Sequence, residues 1–274
     1  MALPNPWQRL LLALALYLAP GLSYSEPPET LIVVGAYYFP PIADFGPDQE
    51  PVGLLADLVQ ELEADTPGVH FRIFHTSPKR RYMDFDAGLY DVIFFENPDW
   101  GWSGRDISVG PPLLMDQDVY VALRKPGRDL SFFDDIEHRK IVALAGYHYG
   151  FIARITDSTT VSPNFAIELS DNNNRNLQLI KADRPSVAEI AVINRSFLQA
   201  HLARHPEDRE LLLTSDQPDQ NYLLRIIARK GGATSVDELT HMLKPVIADG
   251  RYRQMVEKWG LQLPRNGLAG LEQP

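Results

Sequence analysis

The run Asp91–Lys125, DVIFFENPDWGWSGRDISVGPPLLMDQDVYVALRK, constrains the architecture more than any other part of the chain. Asp91–Phe95 is short, apolar and rich in β-formers, and turn formers bound it, so it predicts a buried strand. Glu96–Arg105 then gathers two tryptophans, two carboxylates, an arginine and two glycines with no periodicity, which predicts a loop. A loop at the carboxyl end of a buried strand is where open α/β sheets keep their crevice. Val119–Leu123 follows as a second apolar strand, closed by Arg124, Lys125, Pro126 and Gly127.

The segments around this run alternate in the same way. Leu31–Ala36 predicts a strand that Pro40 and Pro41 bring to an end. Tyr37, Tyr38 and Phe39 stand at its carboxyl end, where aromatics serve either as core filler or as a ligand platform. Val52–Ala64 carries apolar residues at 52, 54, 55, 58, 59 and 62, a helical period. Val69–Phe74 predicts a strand, and Pro78 opens a helix through Ala87 that Gly88 stops. Strand, helix, strand, helix, strand is a parallel α/β layout.

A second set begins beyond Lys125. It predicts a short helix at Phe132–Glu137, a strand at Lys140–Ala145, and a turn at Gly146–Gly150 leading into a helix to about Thr156. A strand at Phe165–Leu169 and a helix from the caps at Asp171–Asn174 to Ala182 come next. Val187–Ile193 predicts a strand, Arg195–Arg204 a helix and Leu211–Leu213 a short strand. Asn221–Lys230 is another extended run. Two amphipathic helices close the chain, Ser235–Ala248 with a kink or break at Pro245, and Gly250–Trp259. Residues 264–274 predict a flexible tail.

With 274 residues, 45% of them hydrophobic, the chain can bury a sizeable core as one large domain or two lobes. Residues 1–25 read as a signal peptide. Arg9 is its positive region, Leu10–Ala19 is an apolar run too short to span a bilayer, and Ser23–Ser25 supplies small residues for a cut after Ser25. Export to a periplasm follows. There is no cysteine, so disulfides and thiolate metal sites are excluded. The formal net charge of -10 argues against nucleic acid as a partner. His70 and His75 flank a strand without ligand spacing, His138 and His148 form no metal pair, and no Walker, zinc or G-x-S-x-G motif occurs. No metal and no cofactor are expected.

Four stretches carry a resemblance. They are Tyr38–Pro41 with Gly53–Leu58, Asp84–Ile93, Leu123–Lys125, and Ile227–Gly231 with the closing Ala248–Tyr252 and Glu257–Gly260. In their order the chain resembles the type II, two-lobe periplasmic solute-binding proteins of polar-amino-acid ABC transporters, from Leu31 to about Leu261. The resemblance implies an α/β fold of two lobes, each a mixed sheet flanked by helices, joined by two crossing hinge strands. Lobe 1 would comprise residues 26–116 and 228–263, and lobe 2 residues 117–227. It further implies a monomer that traps a small polar or zwitterionic ligand by hinge closure and serves an inner-membrane ABC permease. Two other roles occur on this fold: a dehydratase-like enzyme, and a ligand sensor for a membrane partner.

Three positions depart from the family's pattern. The loop that clamps the ligand carboxylate offers only Arg105, closer to Pro112 than in the pattern. Asn194 stands where an acid takes the ligand ammonium, and Gly146 is followed by Tyr147 rather than Thr or Ser. These departures argue against a free α-amino acid. The candidate site is Tyr38, Phe39, Trp100, Trp102 and Tyr147 for flat apolar contact, with Glu96, Arg105 and Asn194 fixing orientation. The alternative for Trp100 and Trp102 is that they cap the core of lobe 1. Glu96 at a strand end needs a partner, either Arg105 or a cationic ligand, and Glu96→Gln is expected to leave stability nearly unchanged. Asp84 and Asp86 are expected to be solvated at a helix end.

Overall fold

The computed structural model describes residues 29–152, 166–268 and 271. The expected signal peptide and the expected helix beyond Ile152 lie outside the described residues. In chain order the strands are β1 (Thr30–Ala36), β2 (Asp44–Phe45), β3 (Pro51–Val52), β4 (Val69–His75), β5 (Val92–Glu96), β6 (Ile107–Leu123), β7 (Lys140–Leu144), β8 (Ala166–Ser170), β9 (Ile190–Asn194), β10 (Leu212–Thr214) and β11 (Gln220–Arg229). The helices are α1 (Leu54–Asp65), α2 (Arg81–Asp86), α3 (Asn173–Lys181), α4 (Arg195–Arg204), α5 (Asp208–Leu211), α6 (Val236–Ala248) and α7 (Arg251–Lys258).

Two α/β halves share one sheet, ordered β4-β1-β5-β11-β6-β9-β7-β8, with β10 on β6. In the first half β1 pairs in parallel with β4 and β5, and in the second β7 pairs in parallel with β8 and β9. The long strands β6 and β11 run antiparallel between the halves. Residues 107–118 of β6 pair with β11 and residues 118–122 with β9, so one strand belongs to both halves. This is the two-lobe layout with two crossing strands. β6 runs 17 residues, far beyond the expected Val119–Leu123, because Pro111 and Pro112 are absorbed where the register against β11 shifts.

Local chemistry explains the helices. α1 buries Leu54, Leu55, Leu58, Val59 and Leu62, one face of a 3.6-residue repeat. The Asn172 side chain caps α3 by accepting from the Arg175 N–H at 2.8 Å. Ser235 and Glu238 close a reciprocal capping box on α6. Pro245 lies inside α6, and the helix runs on through it to Ala248 rather than breaking. The Phe132–Glu137 helix is instead two 3-10 turns, Leu130–Phe133 and Ile136–His138. β9 starts at Ile190 rather than Val187, because the Val187 and Ala188 N–H groups are turned back onto the Arg184 carbonyl. The expected flexible tail is held at two points, Leu268 and Leu271, both buried in the main core.

One apolar cluster fills lobe 1 and continues across the contact between the lobes, and a second lies between β6, β7 and β9 and the helices α3 and α4. Among the described residues no helix is long and apolar enough to cross a membrane.

Candidate functional site

The carboxyl ends of β1 and β4 face those of β7 and β8 across a crevice of about 640 Å³. Lobe 1 contributes Tyr38 and the run His75–Lys79, which leaves β4 toward α2. Lobe 2 contributes Leu144, Ala145 and Tyr147 after β7, Leu169–Asp171 after β8, and Arg175 on the first turns of α3. Parallel strands bring their carboxyl ends together in this way wherever βα units repeat, so the crevice follows from the topology. Its volume lies in the range of small-molecule sites.

Of the expected site residues, Tyr38 and Tyr147 line this crevice. The Tyr38 hydroxyl is pushed up to about 12 by burial and by the nearby Asp44, so it is a donor across the physiological range, and it lies at the amino end of α3 beside the Asn173 N–H. Phe39, Trp100 and Asn194 are buried in the seam next to the crevice. Phe39 packs edge-on to Tyr147 at 5.8 Å between ring centres. Trp100 lies parallel to the His148 ring at 6.2 Å and packs against Tyr222 at 4.9 Å. Asn194 donates to the Pro40 carbonyl at 3.3 Å and to the Ser196 hydroxyl at 3.0 Å and accepts from Asn173 at 2.9 Å, so its amide is committed, once across the seam and twice within lobe 2.

Glu96 and Trp102 lie beneath the seam, inside lobe 1. Glu96 is fully buried and its partner is Arg81, 3.3 Å away, not Arg105. The chain reverses locally at Phe95, whose φ is 58°, opposite the irregular pairing of β5 with β11 between Arg225 and Ile227. That irregularity aims Glu96 inward rather than toward the crevice. Burial raises the Glu96 carboxyl above its ordinary value, against the pull of Arg81 and of the dipoles of Tyr37, Asn97 and Trp102. The Arg81 guanidinium lies over the Tyr37 and Tyr82 rings at 4.9 and 4.4 Å. Trp102 packs against Tyr82 and Phe85, both at 5.1 Å. Arg105 faces outward on lobe 1, where Asp86 accepts two of its hydrogen bonds at 2.9 Å each. Asp84, expected to be solvated, is buried and accepts from Thr76 and Arg80.

The seam carries bonds from lobe to lobe. Arg81 Nη1 donates to the Gly146 carbonyl at 3.1 Å, the Tyr82 hydroxyl pairs with His148 Nε2 at 2.9 Å, and the Tyr147 hydroxyl donates to the Tyr38 carbonyl. Gly146 is required here. Its φ is 83°, and a Cβ would come within 2.8 Å of Lys79 Cγ and 2.9 Å of the Lys79 backbone nitrogen.

Sequence reasoning did not single out Lys79, Arg81, Tyr82 or Arg175. A signal was present for the first two: a charged run, Lys79-Arg80-Arg81, directly after a strand and a helix-opening Pro78. Arg175 carried none, because its place in the lining depends on α3 meeting the end of β4 in space.

No family model and no curated protein matches the chain. Solved structures do. A substrate-binding protein of an ABC uptake transporter from Streptococcus pneumoniae, crystallised with bound histidine, is 15% identical with a TM-score of 0.66, over 84% of this chain and 92% of that one. A binding component of an ABC transporter from Wolinella succinogenes, complexed with lysine, is 16% identical with a TM-score of 0.65, over 84% and 95%. An ancestral amino-acid-binding protein, described as a precursor of cyclohexadienyl dehydratase, is 18% identical with a TM-score of 0.63, over 84% and 95%. At these identities the likeness is one of fold, the two-lobe type II architecture described above.

Proposed function

We propose that this protein is an exported solute receptor. It captures a small polar or zwitterionic molecule between its lobes and hands it to an inner-membrane ABC permease. The observation that carries the reading is the crevice, lined from both lobes at the strand ends. The bound histidine and lysine of two structural neighbours support a small charged organic solute as the ligand class. Export through a signal peptide cut after Ser25 fits the composition of residues 1–25. Glu96, the acid at the carboxyl end of β5, is sealed against Arg81 and supplies nothing to the crevice, which favours binding over catalysis.

The test is a calorimetric panel of standard amino acids, amines, organic acids, sugars and short peptides, followed by small-angle scattering with each binder. We expect one class to bind and to compact the protein as the lobes close. We expect no standard amino acid to bind below the micromolar range, because Asn194 offers no charge to an ammonium and Arg105 is turned away. A binder that raises the melting temperature without compaction would count against lobe closure.

A further inference from the structure

We infer that the crevice is built for a singly anionic organic acid, with its carboxylate or equivalent group held between Lys79 of lobe 1 and Arg175 of lobe 2. This rests on the receptor reading above and gives its ligand a chemical class. Lys79 and Arg175 are the two permanent cations of the lining, and Asp171 is its one carboxylate. Among the described residues Lys79 pairs with no carboxylate. Arg175 has only a 3.6 Å contact to a half-exposed Glu168, the kind of surface pair that yields readily to a better partner. Asp171 is already bonded by the Asn172 amide at 3.1 Å. The Tyr38 hydroxyl, which accepts from the Asn173 N–H at the amino end of α3, borders the same space and can donate to an anion there.

The rest of the lining sets the body of the ligand. Leu144, Tyr147 and Leu169 of lobe 2 and Pro78 of lobe 1 are in the lining, so the part of the solute beyond its charged group meets apolar and aromatic surface. An ammonium would meet only Asp171, one carboxylate set against two cations in the same lining. Asn194, at the end of β9, spends its amide on Pro40, Asn173 and Ser196 and lies outside the lining. A cation held by each lobe also makes anion binding and lobe closure one event, because the charged group bridges the two only when they approach.

A matched series separates charge from shape. 3-Phenylpropanoate, its amide, 2-phenylethylamine and phenylalanine carry the same ring on a short chain with different head groups, and hexanoate repeats the anion without the ring. On the full mature chain, the two anions are expected to bind at least about tenfold more tightly than the amide or the amine and to lose affinity as salt rises. Lys79→Met and Arg175→Met, both at exposed positions, should each lower anion affinity roughly ten- to hundredfold while the melting temperature of the free protein stays unchanged. Lys79→Arg should restore most of the binding. The inference is overturned if neither anion binds below about 10 mM, if the amine, the amide or phenylalanine binds more tightly, or if the Met variants keep the anion affinity. If some other solute of the wider panel compacts the protein in any of those cases, the receptor reading survives without the anion. If no solute compacts it, both fall.

Discussion

Glu96 shows how one residue changes meaning once its surroundings are known. In the chain it is an acid at the carboxyl end of a strand, beside a loop rich in aromatics. In the fold it is fully buried with Arg81, itself fully buried over two tyrosine rings. Removing one partner of a buried pair leaves the other charge uncompensated, at a cost of about 3–5 kcal/mol. Glu96→Gln is therefore expected to destabilise the protein by that order, rather than to leave stability unchanged as the sequence alone suggested. Urea unfolding of the variant measures it. A loss under about 1 kcal/mol would mean that the Arg81 charge is satisfied by the Pro78 and Gly146 carbonyls it also reaches.

At the scale of elements, the loop after β5 divides its two tryptophans between different jobs. Trp102 turns into lobe 1 against Phe85 and Tyr82, and Trp100 turns to the seam against Phe39, His148 and Tyr222. Residues two apart share a face in a strand, but in this loop they do not. Trp102→Ala should cost about 3–5 kcal/mol of unfolding free energy, the usual range for emptying a buried aromatic site. Trp100→Ala should show its main effect in scattering, as a larger and more variable radius when the seam loosens. Equal stability losses with no change in radius would place both rings in the core of lobe 1. The loop itself was legible from its lack of periodicity, and so were β1, β4, β7, α1 and α4. The length of β6 was not. Asp116 and Asp118 break its hydrophobic pattern, and only pairing with β11 on one side and β9 on the other makes a strand of them.

For the molecule as a whole, those same acids stand where the lobes join. Asp116 accepts from the Gln117 N–H at 2.8 Å and from the Ser196 hydroxyl and N–H. Burial nevertheless raises its carboxyl from 3.8 to about 6, with the bonds from Ser196, Gln117 and Asn194 opposing. Burial raises Asp118 well above its usual range as well, and the charges of Asp219 and Asp116 add to the effect. For an acid raised on folding, the folded chain holds the proton more tightly than the unfolded one. Its stabilising contribution is complete below about pH 4 and is lost as pH rises through about 6. The Asp116 displacement corresponds to about 3 kcal/mol. We expect stability to fall with rising pH across that window and the Asp116→Asn variant to show a flatter profile in thermal scans. An unchanged slope would mean that Asp116 is ionised and satisfied by Ser196.

Sequence by itself determined the periodic parts. Apolar repeats of two and 3.6 residues, the Asn172 and Ser235 caps and the prolines at segment ends are local facts, and with the order of elements they were sufficient for two α/β halves joined by extended strands. The site was decided by tertiary structure. Lys79 and Arg81 lie in one run and Arg175 nearly a hundred residues on, and Lys79 and Arg175 come to line one crevice only when the ends of β4, β7 and β8 meet. Arg105, the arginine nearest to the expected clamp, is drawn away by Asp86 across 19 residues of sequence. Which charge pairs with which depends on distances of a few ångströms between segments, and local sequence patterns do not encode that distance.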